Sequence, residues 1–159
     1  RAHFETDSVV YYDRLYNKAL DRPADYRSDV SKRRIARVAN DLLRYLLFVD
    51  EFQLKAPVVG TSAFAREFSR RGPRDKRGRS LRQLDLGSRL FQHHCSYLVY
   101  SPLFDSLPAP VRKQVTGRLK RILGGVDNGE DFARLTPNQR RTLLEILNDT
   151  KPGLQPVLD

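Results

Sequence analysis

A single cysteine, Cys95, stands in 159 residues, so no disulfide can form within the chain. Long apolar runs are missing as well. The richest stretch, Leu42 to Phe52, is broken by Arg44, Asp50 and Glu51, and a membrane-crossing helix needs roughly 18 apolar residues in a row. The reading is of a soluble domain with no transmembrane segment. Methionine is absent even at position 1, where Arg1 stands. The chain is therefore expected to be a processed product or a piece of something longer. No segment repeats at a period of about 20 to 50 residues, which argues against a solenoid, and no low-complexity linker divides the sequence. One domain over residues 1–159 is the simplest organisation, long enough to bury roughly two thirds of its unfolded surface.

The vocabulary of catalysis is equally thin. There is no Cys-x-x-Cys-His for haem attachment and no glycine-rich phosphate loop. Gly124 to Gly129 has the glycines of a calcium loop without its alternating ligands or closing glutamate. Asp50-Glu51 and Glu130-Asp131 read as caps or solvated charge. His93-His94-Cys95 gathers metal-ligating types, but neighbours on a helix point about 100° apart and do not close a tetrahedral site. Only His3 could be added to them. The same divergence argues against Cys95 and His94 as nucleophile and base; Cys95 reads as a small buried apolar side chain. No cofactor and no metal are expected.

What the chain does have is positive charge, gathered in one place. Between residues 66 and 82, eight basic residues against Glu67 and Asp75 leave +6 of the formal +10. The centre, Gly72-Pro73-Arg74-Asp75-Lys76-Arg77-Gly78-Arg79-Ser80, has the glycines and proline of a loop. Three readings follow for Arg70, Arg71, Arg74, Lys76, Arg77, Arg79 and Arg82. They form a solvated turn with internal ion pairs, a docking surface for an acidic protein, or a phosphate-neutralising patch for nucleic acid. Against the last, the loop lacks interleaved aromatics for base stacking, and no known nucleic-acid-binding motif accompanies it.

The remaining pattern is helical. A first helix is predicted over Ser8 to Leu20, capped by Thr6 or Asp7 and stopped at Asp21-Arg22-Pro23, with Val9, Tyr12, Leu15, Tyr16 and Ala19 on its inner face. The clearest stripe is Ile35, Val38, Leu42, Tyr45, Leu46 and Val49, opposite Lys32, Arg33, Arg34, Arg37, Asp41 and Arg44, with Ser31 or Asp29 as cap. After a connector over Gln53 to Gly60, Thr61 or Ser62 is expected to cap a short helix carrying Phe64, Ala65 and Phe68. Arg71-Gly72-Pro73 ends it. Ser80 to Gln83 has capping-box spacing and predicts a helix carrying Leu81, Leu84, Leu90, Phe91, Tyr97 and Leu98. Ser101-Pro102 opens a short turn with Leu103 and Phe104. Pro110 to Leu123 follows, with Val111, Val115, Leu119, Ile122 and Leu123 inward and Gly124-Gly125 as its stop. Thr136-Pro137-Asn138-Gln139 caps a last helix with Leu143, Leu144, Ile146 and Leu147, ending before Lys151-Pro152-Gly153. The β-prone runs Val58-Val59 and Tyr97 to Tyr100 are short. Tyr11, Tyr12, Tyr16, Tyr97 and Tyr100 are expected in the core with their hydroxyls at its rim.

Several motifs together carry a resemblance: Gly60 to Ala65, Arg71 to Asp75, Gly78 to Leu81, Asp85-Leu86, Arg89-Leu90-Phe91, Cys95 to Leu98, Tyr100-Ser101, Phe104 to Pro108 and Asp149 to Pro152. They resemble the C-terminal region of an uncharacterised family of exported bacterial proteins, over most of residues 6–153. The resemblance implies a larger parent chain and a periplasmic or envelope location, and it carries no activity, cofactor or site residue. Where that family has Tyr-Pro before the cysteine, this chain has His93-His94.

The sequence thus leads to an all-α fold, a compact bundle of six or seven helices with a basic loop at about residues 72–80. It is expected to be a non-enzymatic module that meets protein, another domain or subunit of the same assembly, through the arginine-rich loop. The alternatives are non-specific nucleic-acid binding and a metal- or thiol-dependent enzyme using His94 and Cys95.

Overall fold

The computed structural model describes residues 2–60 and 63–154, and over these the chain is all-α, with six α-helices and no strand. The helices are α1 (Ala2–Ala19), α2 (Asp29–Leu46), α3 (Phe64–Arg70), α4 (Pro102–Asp105), α5 (Ala109–Leu123) and α6 (Pro137–Thr150). Single 3-10 turns lie at Tyr97–Tyr100, Glu130–Phe132 and Pro152–Leu154. The expected caps Thr61 and Ser62 lie outside the described residues.

The centre is α2 laid on α5, with α1 along α2 and α6 along α5. From α2 come Ile35, Val38, Ala39, Leu43 and Leu46, from α5 Val111, Val115, Leu119, Ile122 and Leu123, and from α6 Leu143, Ile146 and Leu147. For α5 and α6 the predicted stripe is the buried stripe, apart from Leu144, which packs at the edge. Their ends also follow the sequence. The Thr136 hydroxyl accepts from the Gln139 N–H while the Gln139 side chain accepts from the Thr136 N–H. Gly124 and Gly125 close α5, Gly125 in the left-handed region at φ 78°. Arg140, buried in α6, donates to the carbonyls of Leu135 and Phe132 and to that of Ile122 at the end of α5, joining the two helices and the turn between them.

α2 differs from its prediction by a small rotation. Its cap is Ser28, whose hydroxyl accepts from the Ser31 N–H, rather than Ser31 or Asp29. Leu43 is fully buried, Leu42 only partly so, and Tyr45 is 78% exposed. Ser31 lies inside the first turn, where its hydroxyl donates to buried Asp13 of α1 at 2.7 Å.

α1 departs further. It begins at Ala2, six residues before the predicted start at Ser8. Thr6 is a buried mid-helix residue bonded back to the Ala2 carbonyl, not a cap. The face turned to α2 is Thr6, Val9, Asp13 and Asn17, largely polar. Asn17 donates to the Tyr26 carbonyl, and Asp13 accepts from Ser31 with Arg27 beside it at 3.5 Å. Tyr11, Tyr12, Leu15 and Tyr16, expected inside, are exposed. Hydrogen bonds fixed to α2 and its approach loop outweigh the apolar periodicity.

The helix predicted from Ser80 does not form. Half of the capping box is present: the Gln83 side chain accepts from the Ser80 N–H at 2.9 Å, but the Ser80 hydroxyl accepts from the Arg82 N–H, and only one turn closes. The chain then reverses at Asp85–Ser88: Asp85 accepts from the Gly87 N–H and the Ser88 hydroxyl, and Leu86 takes φ 61°. Leu84 and Phe91 face each other across this turn as an antiparallel bridge. Asp, Gly and Ser in turn positions decide the local conformation over the leucine spacing. Residues 47–58 run beside the reversal, held by Leu54 N–H to the Ser88 carbonyl and Val58 N–H to that of Leu86.

Candidate functional site

The basic loop is built around a buried acid. Gly72 and Gly78, at φ 97° and 77°, supply the left-handed corners that let the chain fold back on itself. Inside the turn, one Asp75 oxygen accepts from the N–H groups of Arg77 and Arg79 at 3.0 and 2.7 Å. The other accepts from the Arg79 guanidinium at 2.7 Å. Asp75 is 6% exposed in consequence. Burial pushes its carboxyl up, but the Arg79 guanidinium and the two backbone donors outweigh that and hold it below the ordinary carboxylate range.

The same turn is fastened to α6. Arg79 and Arg77 both reach Glu145, at 2.7 and 3.1 Å, and Lys76 bonds Asp149 through its backbone N–H at 3.0 Å and its ammonium at 3.2 Å. Glu145 and Asp149 lie one turn apart on α6, so a single helix face receives the whole loop. Arg74 turns the other way and donates to the carbonyls of Gly78 at 2.6 Å and Ser69 at 2.8 Å. Arg82 lies over the rings of Phe68 and Tyr97, 4.9 and 4.2 Å from their centroids. Five of the seven residues singled out in the sequence therefore have partners within the domain. Arg70 and Arg71, with Arg66, are exposed and meet no carboxylate among the described residues. Arg66 and Arg70 share a face of α3 one turn apart.

His93-His94-Cys95 lies in irregular chain after the Leu84–Phe91 bridge, not on a helix. The two rings nonetheless part. His93 is buried and faces the Gln83 side chain at 3.3 Å, while His94 points to Arg89 and to Gln139 of α6, the latter at 2.7 Å. Cys95 is fully buried, and burial pushes its thiol up to about 12, far from the reactive thiolate range. No three His, Cys, Asp or Glu side chains converge as metal ligands among the described residues.

His94 opens onto a cleft of about 440 Å³ between the chain after α2, the Asp85–Ser88 reversal and the start of α6. Its polar walls are Glu51, Arg89, His94, Asp131, Arg134 and Gln139. Glu51 and Arg89 form a half-buried ion pair, and Arg89 also donates to His94. Burial, with the cations Arg89 and Arg134 nearby, lowers the His94 imidazole to about 4. A ring that stays neutral at pH 7 keeps one N–H and one acceptor nitrogen and carries no charge, and the Glu51 carboxylate is paired with Arg89. Asp131 and Asp50 meet Arg44 in the same way. Of the carboxylate pairs read as caps or solvated charge, Glu130 is exposed with no ion pair among the described residues, while Asp50, Glu51 and Asp131 are ion-pair partners. Sequence spacing offers no signal for that, since Glu51 and Arg89 are 38 residues apart.

No protein-family model, curated protein or solved structure matches the chain. No helix among the described residues is long and apolar enough to cross a membrane.

Proposed function

We propose that the chain is a non-enzymatic module of a larger exported bacterial protein or complex, docking an acidic protein surface through the arginines of α3 and the loop that follows. The observation that carries this is the division among the basic residues. Arg74, Lys76, Arg77, Arg79 and Arg82 all have partners within the domain, although Arg74, Lys76 and Arg77 remain exposed, while Arg66, Arg70 and Arg71 are exposed and meet no carboxylate among the described residues.

The bracing supports the reading. A helix of seven residues is too short to hold itself in water. Here Arg74 fastens the Ser69 carbonyl, the Ser69 hydroxyl donates to the Arg82 carbonyl at 3.1 Å, and Arg82 caps the Phe68 ring. Three guanidiniums are thus presented on a fixed support, which lowers the ordering loss on binding. Their planar forks match carboxylates in pairs. Nucleic acid fits less well. A helix of about 10 Å covers little of a groove, and the Phe68 and Tyr97 rings that could stack bases lie under Arg82. The envelope setting rests on the resemblance of the motifs between Gly60 and Pro152.

Fluorescence anisotropy with a labelled polyglutamate peptide and a labelled short DNA duplex tests the reading. The peptide is expected to bind, and Arg66→Glu, Arg70→Glu and Arg71→Glu together to weaken it by about tenfold or more. Tighter binding to the duplex, with about 0.9 log unit of affinity lost per log unit of salt for each phosphate met, would favour nucleic acid instead.

A further inference from the structure

α1 is turned inside out. Its polar residues Thr6, Asp13 and Asn17 are buried against the domain, and Phe4, Tyr11 and Leu15 stand 76%, 63% and 53% exposed on the opposite side. The outward line Phe4, Ser8, Tyr11, Leu15 advances by four, three and four residues, the seam spacing that packs one helix on another. Beside that seam, one heptad apart on the same edge, lie Asp7 and Arg14. Both are exposed, and neither has an ion-pair partner among the described residues.

We infer that this face is a self-association surface, on which two copies of the chain pair through antiparallel α1 helices. The pattern is complementary to itself when reversed. An antiparallel copy sets Phe4 against Leu15 and the small Ser8 against Tyr11, so each layer joins a large side chain to a smaller one. In the same register Asp7 of each copy faces Arg14 of the other, giving two identical ion pairs about the two-fold axis. A parallel copy would set Asp7 and Arg14 against Tyr12 and Ala19 and lose both. α1 also suits a second copy of so cationic a protein: Glu5, Asp7 and Asp13 against Arg14 and Lys18 leave it net negative in a chain of +10.

Sedimentation equilibrium over a concentration series tests this. The mean mass is expected to rise from the 18.4 kDa monomer towards twice that. Arg14→Asp or Asp7→Arg alone turns two attractions into two repulsions and should weaken association by about tenfold. The exchanged pair Asp7→Arg with Arg14→Asp should restore it. Circular dichroism of the exchanged variant should match the parent, since neither side chain has an ion-pair partner among the described residues. Tyr11→Lys with Leu15→Lys should leave a folded monomer. A parent chain that stays monomeric throughout, a dimer that survives Tyr11→Lys with Leu15→Lys, or an exchanged pair no better than the single variants would each overturn the inference.

Discussion

Asp75 sits among arginines yet faces inward, with three donors on two oxygens and the α6 carboxylates just beyond. Replacing it with Asn keeps acceptors for the two backbone N–H groups but turns an amide N–H₂ towards the Arg79 guanidinium or costs a backbone bond. Urea denaturation should show a loss of about 2 kcal/mol. Because the folded carboxyl titrates below its ordinary value of 3.8, its contribution is complete above that range and is lost as pH falls through it. His94 acts in a higher window. Its folded value of about 4 lies below the ordinary 6.5, so between the two the unfolded chain binds more protons. Stability should therefore fall as pH is lowered from about 6.5 towards about 4, and His94→Gln should flatten that limb of a stability–pH profile. An unchanged limb would mean that His94 does not sit beside Arg89 and Arg134 as described.

Among the elements, α5 and α6 were legible because everything that defines them is local. Each has a proline in its first turn and one apolar stripe, with paired glycines closing α5 and a capping box opening α6. α1 was not legible, because the sequence shows two faces and does not say which meets the domain. Asp13 chooses, by finding Ser31 eighteen residues away. The stretch from Ser80 to Leu98 misleads because its leucine spacing suits a helix while Asp85-Leu86-Gly87-Ser88 suits a turn. The turn wins. For α2 the rotation is testable. Leu43→Ala should cost about 2 to 5 kcal/mol, Leu42→Ala clearly less, and Tyr45→Ala should stay within about 0.5 kcal/mol, in the same denaturant series. Equal losses at Leu42 and Leu43 would restore the stripe expected from the sequence.

Across the whole molecule, the arginine cluster could be read from residues 66–82 alone, but its division of labour could not. The carboxylates that take up Arg77, Arg79 and Lys76 come from α6, 66 to 73 residues further on, and Arg82 finds its aromatic platform only when Phe68 and Tyr97 are brought together by the fold. On the proposed reading, the cations left without a carboxylate among the described residues, Arg66, Arg70 and Arg71, are the first to meet a partner. Hydrogen exchange of the free protein and of the protein saturated with polyglutamate peptide tests that claim most directly. The account predicts that the amides of Arg77 and Arg79 exchange slowly in both samples, because Asp75 already holds them, and that peptide slows exchange chiefly over residues 64–71. Fast exchange at Arg77 and Arg79 in the free protein, slowed only by the peptide, would contradict it and return the binding role to the loop.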